Sequence, residues 1–245
     1  MNFSNKQFVK LLSGAIFCAA MLGIHPASCA AQEISGTSST LAGPELDLTI
    51  KYFNRELTPD GVLRESSYEE KILRRSGHVW SYRVLPGTTT ASNITRQKHE
   101  HKEFNPIVLP RLVKFDGNKV SVEFIDAHER EVINIAPSEY DNVNFDGSWP
   151  NTYYLIAPKV VAALPLSQRP SSVATARWHE MVKNGLFQRV LWDDKLLIPL
   201  VIETGDLKNT FLQRINVTPN AKLVKDLPWS HQQGYAQKEY SDFLD

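Results

Sequence analysis

A mostly antiparallel β-sheet of about eight to eleven strands with few helices, folded as one domain, is what the sequence predicts. Apolar side chains recur at every second position in segment after segment, the mark of strands with one buried face. Turn-forming clusters separate these segments at short intervals. No internal repeat and no compositional break divides the chain between Leu46 and Asp226.

The first element precedes the sheet. Lys6 and Lys10 lead an apolar run from Leu11 to Ile24, Pro26 breaks it, and Ser28, Cys29, Ala30 and Ala31 are small. A positive start, a short apolar middle and a small-residue exit define a secretory signal peptide over residues 1–31, cleaved at Ala30 or Ala31. The run is too short for a membrane span. A lipid-bearing Cys29 is the alternative, with Pro26 standing where such sites carry an aliphatic residue. Residues 32–45 are small and polar and read as a flexible linker. The β domain occupies 46–226, and a polar, aromatic tail occupies 227–245, with the composition of a short docking helix.

Within the domain, Leu46, Leu48, Ile50 and Tyr52 alternate with Asp47, Thr49 and Lys51 as a first strand. Thr58-Pro59-Asp60-Gly61 is a turn in which Pro presets one dihedral and Gly accepts the positive one. His78, Trp80, Tyr82 and Val84 share a face of the next strand, and a polar loop follows from Pro86 to His101. Leu112–Phe115 and Val120–Phe124 flank Asp116-Gly117, a strong hairpin signal. Val132–Ile135 adds a short strand. Pro137–Pro170 is irregular, with a short helix over Lys159–Leu164. Ser171–Val182 fits either a helix capped by Ser172 or a strand. The strand is preferred because Asn184-Gly185 leads into the alternation Leu186, Gln188, Val190, Trp192. Leu200–Thr204 and Phe211–Val217 complete the set, and Pro199 places its strand's start there or at an edge.

Composition narrows function. The chain has 27 basic and 27 acidic residues, and loss of Lys6 and Lys10 leaves 25 basic against 27 acidic. That balance disfavours nucleic acid, whose affinity needs clustered cations. Both cysteines lie in the signal, so the mature chain has neither a disulfide framework nor a thiolate metal site. No His-Glu-x-x-His, Gly-x-Ser-x-Gly or phosphate-binding glycine loop occurs, so no cofactor and no catalytic residue is expected. His99-Glu100-His101 would place two imidazoles on one strand face, a weak metal candidate that lacks a third ligand. Asp193-Asp194 at a strand end reads as turn chemistry. Arg74, Arg75 and Arg83 read as a charged sheet edge that discourages pairing, or as a basic strip for a partner.

The stretch Arg189-Val190-Leu191-Trp192-Asp193-Asp194-Lys195-Leu196-Leu197-Ile198-Pro199-Leu200-Val201-Ile202-Glu203 resembles a signature of the LolA/RseB-like periplasmic proteins (MucB/RseB N-terminal domain-like). An aromatic-Asp strand end turns, passes a Leu-x-Pro and returns as a strand; the hairpin over Lys114–Phe124 and the opening over Leu48–Arg74 resemble the same family. The resemblance implies a single curved, half-open antiparallel β-barrel with a few short helices covering the concave face. It also implies a periplasmic, non-enzymatic protein that binds an apolar ligand, a lipid or lipoprotein segment, or an envelope partner in the concavity of the sheet. Trp80, Tyr82, Val122, Phe124 and Trp192 are the candidate lining, with ordinary sheet core as their other reading. Two alternatives stand beside it: a metal-assisted envelope hydrolase using His99 and His101, and a structural or assembly module of an envelope complex.

Overall fold

The computed structural model describes residues 43–86 and 104–243. The expected signal peptide with its Cys29, Ala30 and Ala31, most of the linker, and His99 and His101 lie outside the described residues. Among the described residues, eleven strands form a single sheet. They are β1 (Leu46–Leu57), β2 (Leu63–Arg75), β3 (His78–Val84), β4 (Arg111–Phe115), β5 (Val120–Asp126), β6 (Glu131–Ile135), β7 (Ala176–Lys183), β8 (Leu186–Asp193), β9 (Ile198–Asp206), β10 (Phe211–Pro219) and β11 (Ala236–Glu239). Their order across the sheet is β11-β6-β5-β4-β3-β2-β1-β10-β9-β8-β7. The two ends do not pair with each other, so the sheet is open. The fold is mainly β with few helices, as the sequence predicts.

Local chemistry sets the hairpins. Asn184 and Gly185 both take positive φ, 53° and 78°, giving the strand-compatible two-residue turn between β7 and β8. Gly77 links β2 to β3 at φ 67°, where a Cβ would stand 2.9 Å from the Phe115 carbonyl. Asp116 accepts from the amides of Asn118 and Lys119 and fixes the β4–β5 turn. Pro199 lies inside the sheet next to the β8–β9 irregularity at Leu191/Trp192, where the ladder shifts and the missing N–H is tolerated.

Register divides the side chains between two faces. On the inner face lie Leu48, Ile50 and Tyr52 of β1, which pair across to Ile72, Glu70 and Tyr68 of β2. The same face continues through Val79, Val113, Val122 and Ile135 on one side. On the other side it continues through Ile215, Ile202 and Val190. A 3-10 helix (Pro137–Val143) and two short helices, α1 (Trp149–Tyr154) and α2 (Pro158–Ala162), cover this face. The Ser148 hydroxyl caps α1 by accepting from the Asn151 amide at 3.2 Å, and Pro150 sits in the first turn, where no N–H is needed. Tyr153, Tyr154, Ile156, Val161 and Leu164 pack with Leu48, Ile50, Val190 and Trp192. Val143 and Phe145 pack with Val122, Phe124 and Ile133 in a neighbouring core.

The outer face has its own smaller core of Leu73, Trp80, Leu112 and Ile125 under Trp229 and Tyr235 of the tail. Residues of the tail form 3-10 turns at Pro228–His231 and Tyr240–Phe243 and the strand β11, which pairs parallel with β6. In place of one docking helix the tail has these two single-turn 3-10 segments, the second packing Tyr240 and Phe243 against the core, with a four-residue strand between them. Ala236-Gln237-Lys238-Glu239 has no apolar period to announce it, and the backbone of β6 supplies the partner.

Candidate functional site

The inner face holds the residues that bear on binding. Val122 and Phe124 on β5 and Trp192 on β8 point to it, each 5% exposed or less. They are sealed by the chain's own cover: Val143 and Phe145 over the first two, Tyr153 and its neighbours over the third. Trp80 and Tyr82 do not join them. The Arg74↔Val79 pairing puts Val79, Ser81 and Arg83 on the inner face and turns Trp80 and Tyr82 outward. There Trp80 packs under Trp229, with ring centroids 6.4 Å apart, and Tyr82 is 40% exposed. The structure therefore gathers three of the five aromatic and apolar candidates and sends two to the other side.

The cover is tied down by a residue that reads in sequence as an edge charge. Arg74 lies in β2, between β3 and β1, and is 1% exposed. Among the described residues its N–H groups meet carbonyls only. Nε and Nη2 donate to the Pro44 carbonyl at 3.0 and 2.7 Å, and Nη2 donates to the Leu196 carbonyl at 2.8 Å. Nη1 donates to the Tyr153 carbonyl at 3.1 Å and the Leu197 carbonyl at 3.4 Å. The guanidinium also stacks 4.8 Å from the Tyr153 ring. Burial lowers its pKa from the ordinary arginine value. One side chain thus joins the segment before β1, the end of α1 and the β8–β9 turn. The Tyr153 hydroxyl adds a bond to the Gly43 carbonyl at 2.8 Å.

Beside this apolar floor, the same face is polar and aromatic. Tyr52 donates to Glu70 at 2.9 Å and stacks on Tyr68 with centroids 4.3 Å apart. Arg83 lies 3.9 Å over the Tyr68 ring. Burial, and then Glu70, hold the Tyr52 phenol well above its usual pKa, so it remains a hydrogen-bond donor at neutral pH. Arg111, one strand further, carries a buried Nε that has no hydrogen-bond partner among the described residues. Charged donors next to an apolar floor suit a ligand with one polar end. No sequence pattern announces this strip, because its members come from four strands and meet only through register.

Other expected features fall into place. Asp193 accepts from Thr175 at 2.7 Å and from the amides of Lys195 and Leu196, while Asp194 pairs with Arg177 at 2.7 Å. The pair is turn and edge chemistry. Arg75 is no free cation either: it bonds Asp47 at 2.7 Å in the sheet interior. Among the described residues no group of three or more His, Cys, Asp or Glu could hold a metal ion. Among them, too, no helix is long and apolar enough to cross a membrane.

The described residues thus form an open, mainly β sheet with short helices on one face. The chain is similar to several solved structures. One is an outer membrane lipoprotein-sorting protein domain from Vibrio parahaemolyticus, 12% identical, covering 73% of this chain and 87% of that one at a TM-score of 0.27. Another is the MucA/MucB complex of Pseudomonas aeruginosa, 13% identical, covering 74% and 54% at 0.32. A third is a DUF1329 family protein from Desulfovibrio piger, 10% identical, covering 74% and 88% at 0.27. No family model and no curated protein matches the chain.

Proposed function

We propose that this chain is an exported, non-enzymatic binding protein of the bacterial envelope. It receives an apolar ligand, a lipid or lipoprotein segment, or an envelope partner on the inner face of its sheet. The observation that supports this is the cover. The apolar inner face of the sheet is closed by short helices rather than by a second sheet, and the cover's backbone is anchored to β2 through the Arg74–Tyr153 contact. Lifting α1 and α2 bares Val190 and Trp192, while Val122 and Phe124 lie under Val143 and Phe145 in the neighbouring core, and the Tyr52–Glu70–Arg83–Arg111 strip runs along the same face from β1 to β4. An acyl chain fits the floor and a polar end fits the strip.

A photoreactive fatty acid tests this. Purified mature protein is expected to take it up and to carry the label near Trp192, Val122 or α1. Tyr153→Phe, which frees the cover from Gly43, is expected to raise the uptake. No uptake, or label confined to the outer face, would overturn the reading.

A second reading, a module of an envelope complex, draws on one further observation. Three adjacent hairpin tips leave Leu57, Val62, Leu63, Val182, Leu186 and Leu207 between 43% and 62% exposed. Backbone bonds from Leu57 to Thr210 and from Leu207 to Gly185 hold these tips together. An exposed apolar cluster of this kind marks a protein-contact surface. Leu63→Asp with Leu207→Asp is expected to abolish any stable co-purifying protein while leaving fatty-acid uptake unchanged.

A further inference from the structure

The outer face carries a second concavity, remote from the covered floor. A cleft of about 760 Å³ opens between the β2–β3 end of the sheet and the segment that follows β10. We propose that this cleft is a separate binding site for a small anionic amphiphile, a molecule with one carboxylate or phosphate and an apolar body.

The cleft is built, not incidental. Its floor is Arg75, Ser76 and His78, and its far wall is the chain from Lys222 to Leu227. That wall is pinned at one residue by the buried ion pair beneath it. The Val224 amide donates to Asp47 at 2.6 Å, and Arg75 donates to the Val224 carbonyl at 2.8 Å while bonding Asp47 at 2.7 Å. Both backbone groups of Val224 are thereby consumed, and the neighbouring side chains are left on the surface. Leu223 is 44% exposed and Val224 46% exposed.

The end of the cleft is aromatic. Trp229 lies parallel to His78, with centroids 5.6 Å apart and planes 5° apart. The Ser76 carbonyl can only accept, so the His78 Nδ1 at 3.0 Å carries the hydrogen and the ring is held against the indole. Leu223, Leu227 and Trp229 make the lining mostly apolar.

Charge selects the ligand's sign. Asp47 neutralises Arg75, and Glu45, 3.7 Å from the Arg75 Nε, is the single acidic side chain of the lining among the described residues. Lys222 and Lys225 are both exposed at the wall, and neither has an acidic partner within ion-pair distance among the described residues. An apolar trough with two lysines at its lip favours an anion that brings its own greasy part. A bare anion gains only the screened surface attraction, and an uncharged amphiphile gains none.

The experiment uses decanoate, 1-decanol and inorganic phosphate with the mature protein. It follows the Trp229 indole N–H by NMR, assigned with Trp229→Phe. Decanoate is expected to shift that signal saturably. Inorganic phosphate and 1-decanol are each expected to bind at least tenfold more weakly. The double variant Lys222→Glu, Lys225→Glu is expected to weaken decanoate binding at least tenfold with an unchanged urea midpoint. Lys222→Gln with Lys225→Gln gives a milder loss and guards against a folding defect. Equal binding of decanoate and decanol, equal binding of phosphate and decanoate, or an unaffected charge-reversal variant would each overturn the proposal. These outcomes are independent of labelling at Trp192, so the two sites stand or fall separately.

Discussion

Replacing Arg74 with Met removes five hydrogen bonds at one stroke and leaves four carbonyls, the buried one of Tyr153 and the partly buried ones of Pro44, Leu196 and Leu197, without that donor. A hydrogen bond to a charged group contributes about 1.5–3 kcal/mol, and a buried acceptor left unsatisfied costs about 1–3 kcal/mol. Met nearly fills the same volume and relieves the desolvation that lowers the Arg74 pKa, which offsets part of the several bonds lost and places the expected net loss at about 3 kcal/mol. For a chain of this size a urea slope of about 2.5 kcal/mol per molar converts that into a midpoint drop of about 1.2 M. Urea titration followed by tryptophan emission reads it directly. Arg74→Lys keeps the charge but offers three donors in place of five, so it is expected to fall between wild type and Met. A midpoint for Arg74→Met within about 0.3 M of wild type at equal slope would refute the view that this guanidinium clamps the cover.

Three more outcomes follow from the geometry. Gly205→Ala places a Cβ 2.9 Å from the Phe211 carbonyl and 2.6 Å from the Phe187 ring, and is expected to cost about 1–3 kcal/mol in the same titration. Phe124→Ala is expected to cost about 3–5 kcal/mol at a fully buried site, whereas Tyr82→Ala on the other face is expected to stay within about 1 kcal/mol. The hydrogen bond and charge of Arg189 hold the Glu180 carboxyl below its ordinary value of 4.5. A folded-state pKa below the unfolded one supplies stability above the unfolded pKa and loses it as pH falls through the folded one. Wild type should therefore lose stability more steeply than Glu180→Gln below about pH 4.5, which thermal melts across pH 2–7 would show.

The strands were legible because period two survives in the side chains themselves: β1, the β4–β5 hairpin and the β7–β10 meander all follow their alternation. Which face is covered was not legible. In β3 the bulky set His78, Trp80, Tyr82 looks like the buried one, yet the tight link at Ser76 and Gly77 fixes Arg74 opposite Val79 and turns that set outward. A one-residue change in that link would invert the assignment. The same blindness to partners made Arg74 and Arg75 look like an exposed edge; sequence shows a charge, and only topology shows that β2 has neighbours on both sides. The helix α1 did have a signal, Ser148 followed by Pro150 as cap and first turn, although it is too short for a visible apolar stripe. The outer cleft had none, since the segment with Lys222 is brought to Arg75 and His78 by the contacts of Val224 with Asp47 and Arg75, far apart in sequence.

The parallel pairing of β11 with β6 has a bearing on how the molecule ages. Asn134 reaches the Lys238 carbonyl across 104 residues of chain, so closing this ladder carries the loop-closure cost of a long-range contact. It is four residues long, and its burial is slight. Such a flap is the first to peel away under thermal agitation, leaving the backbone groups of Glu131–Ile135 as a template for a foreign strand. Clipping by proteases and exchange between molecules should both begin at that rim, while the ladders around β1 remain intact.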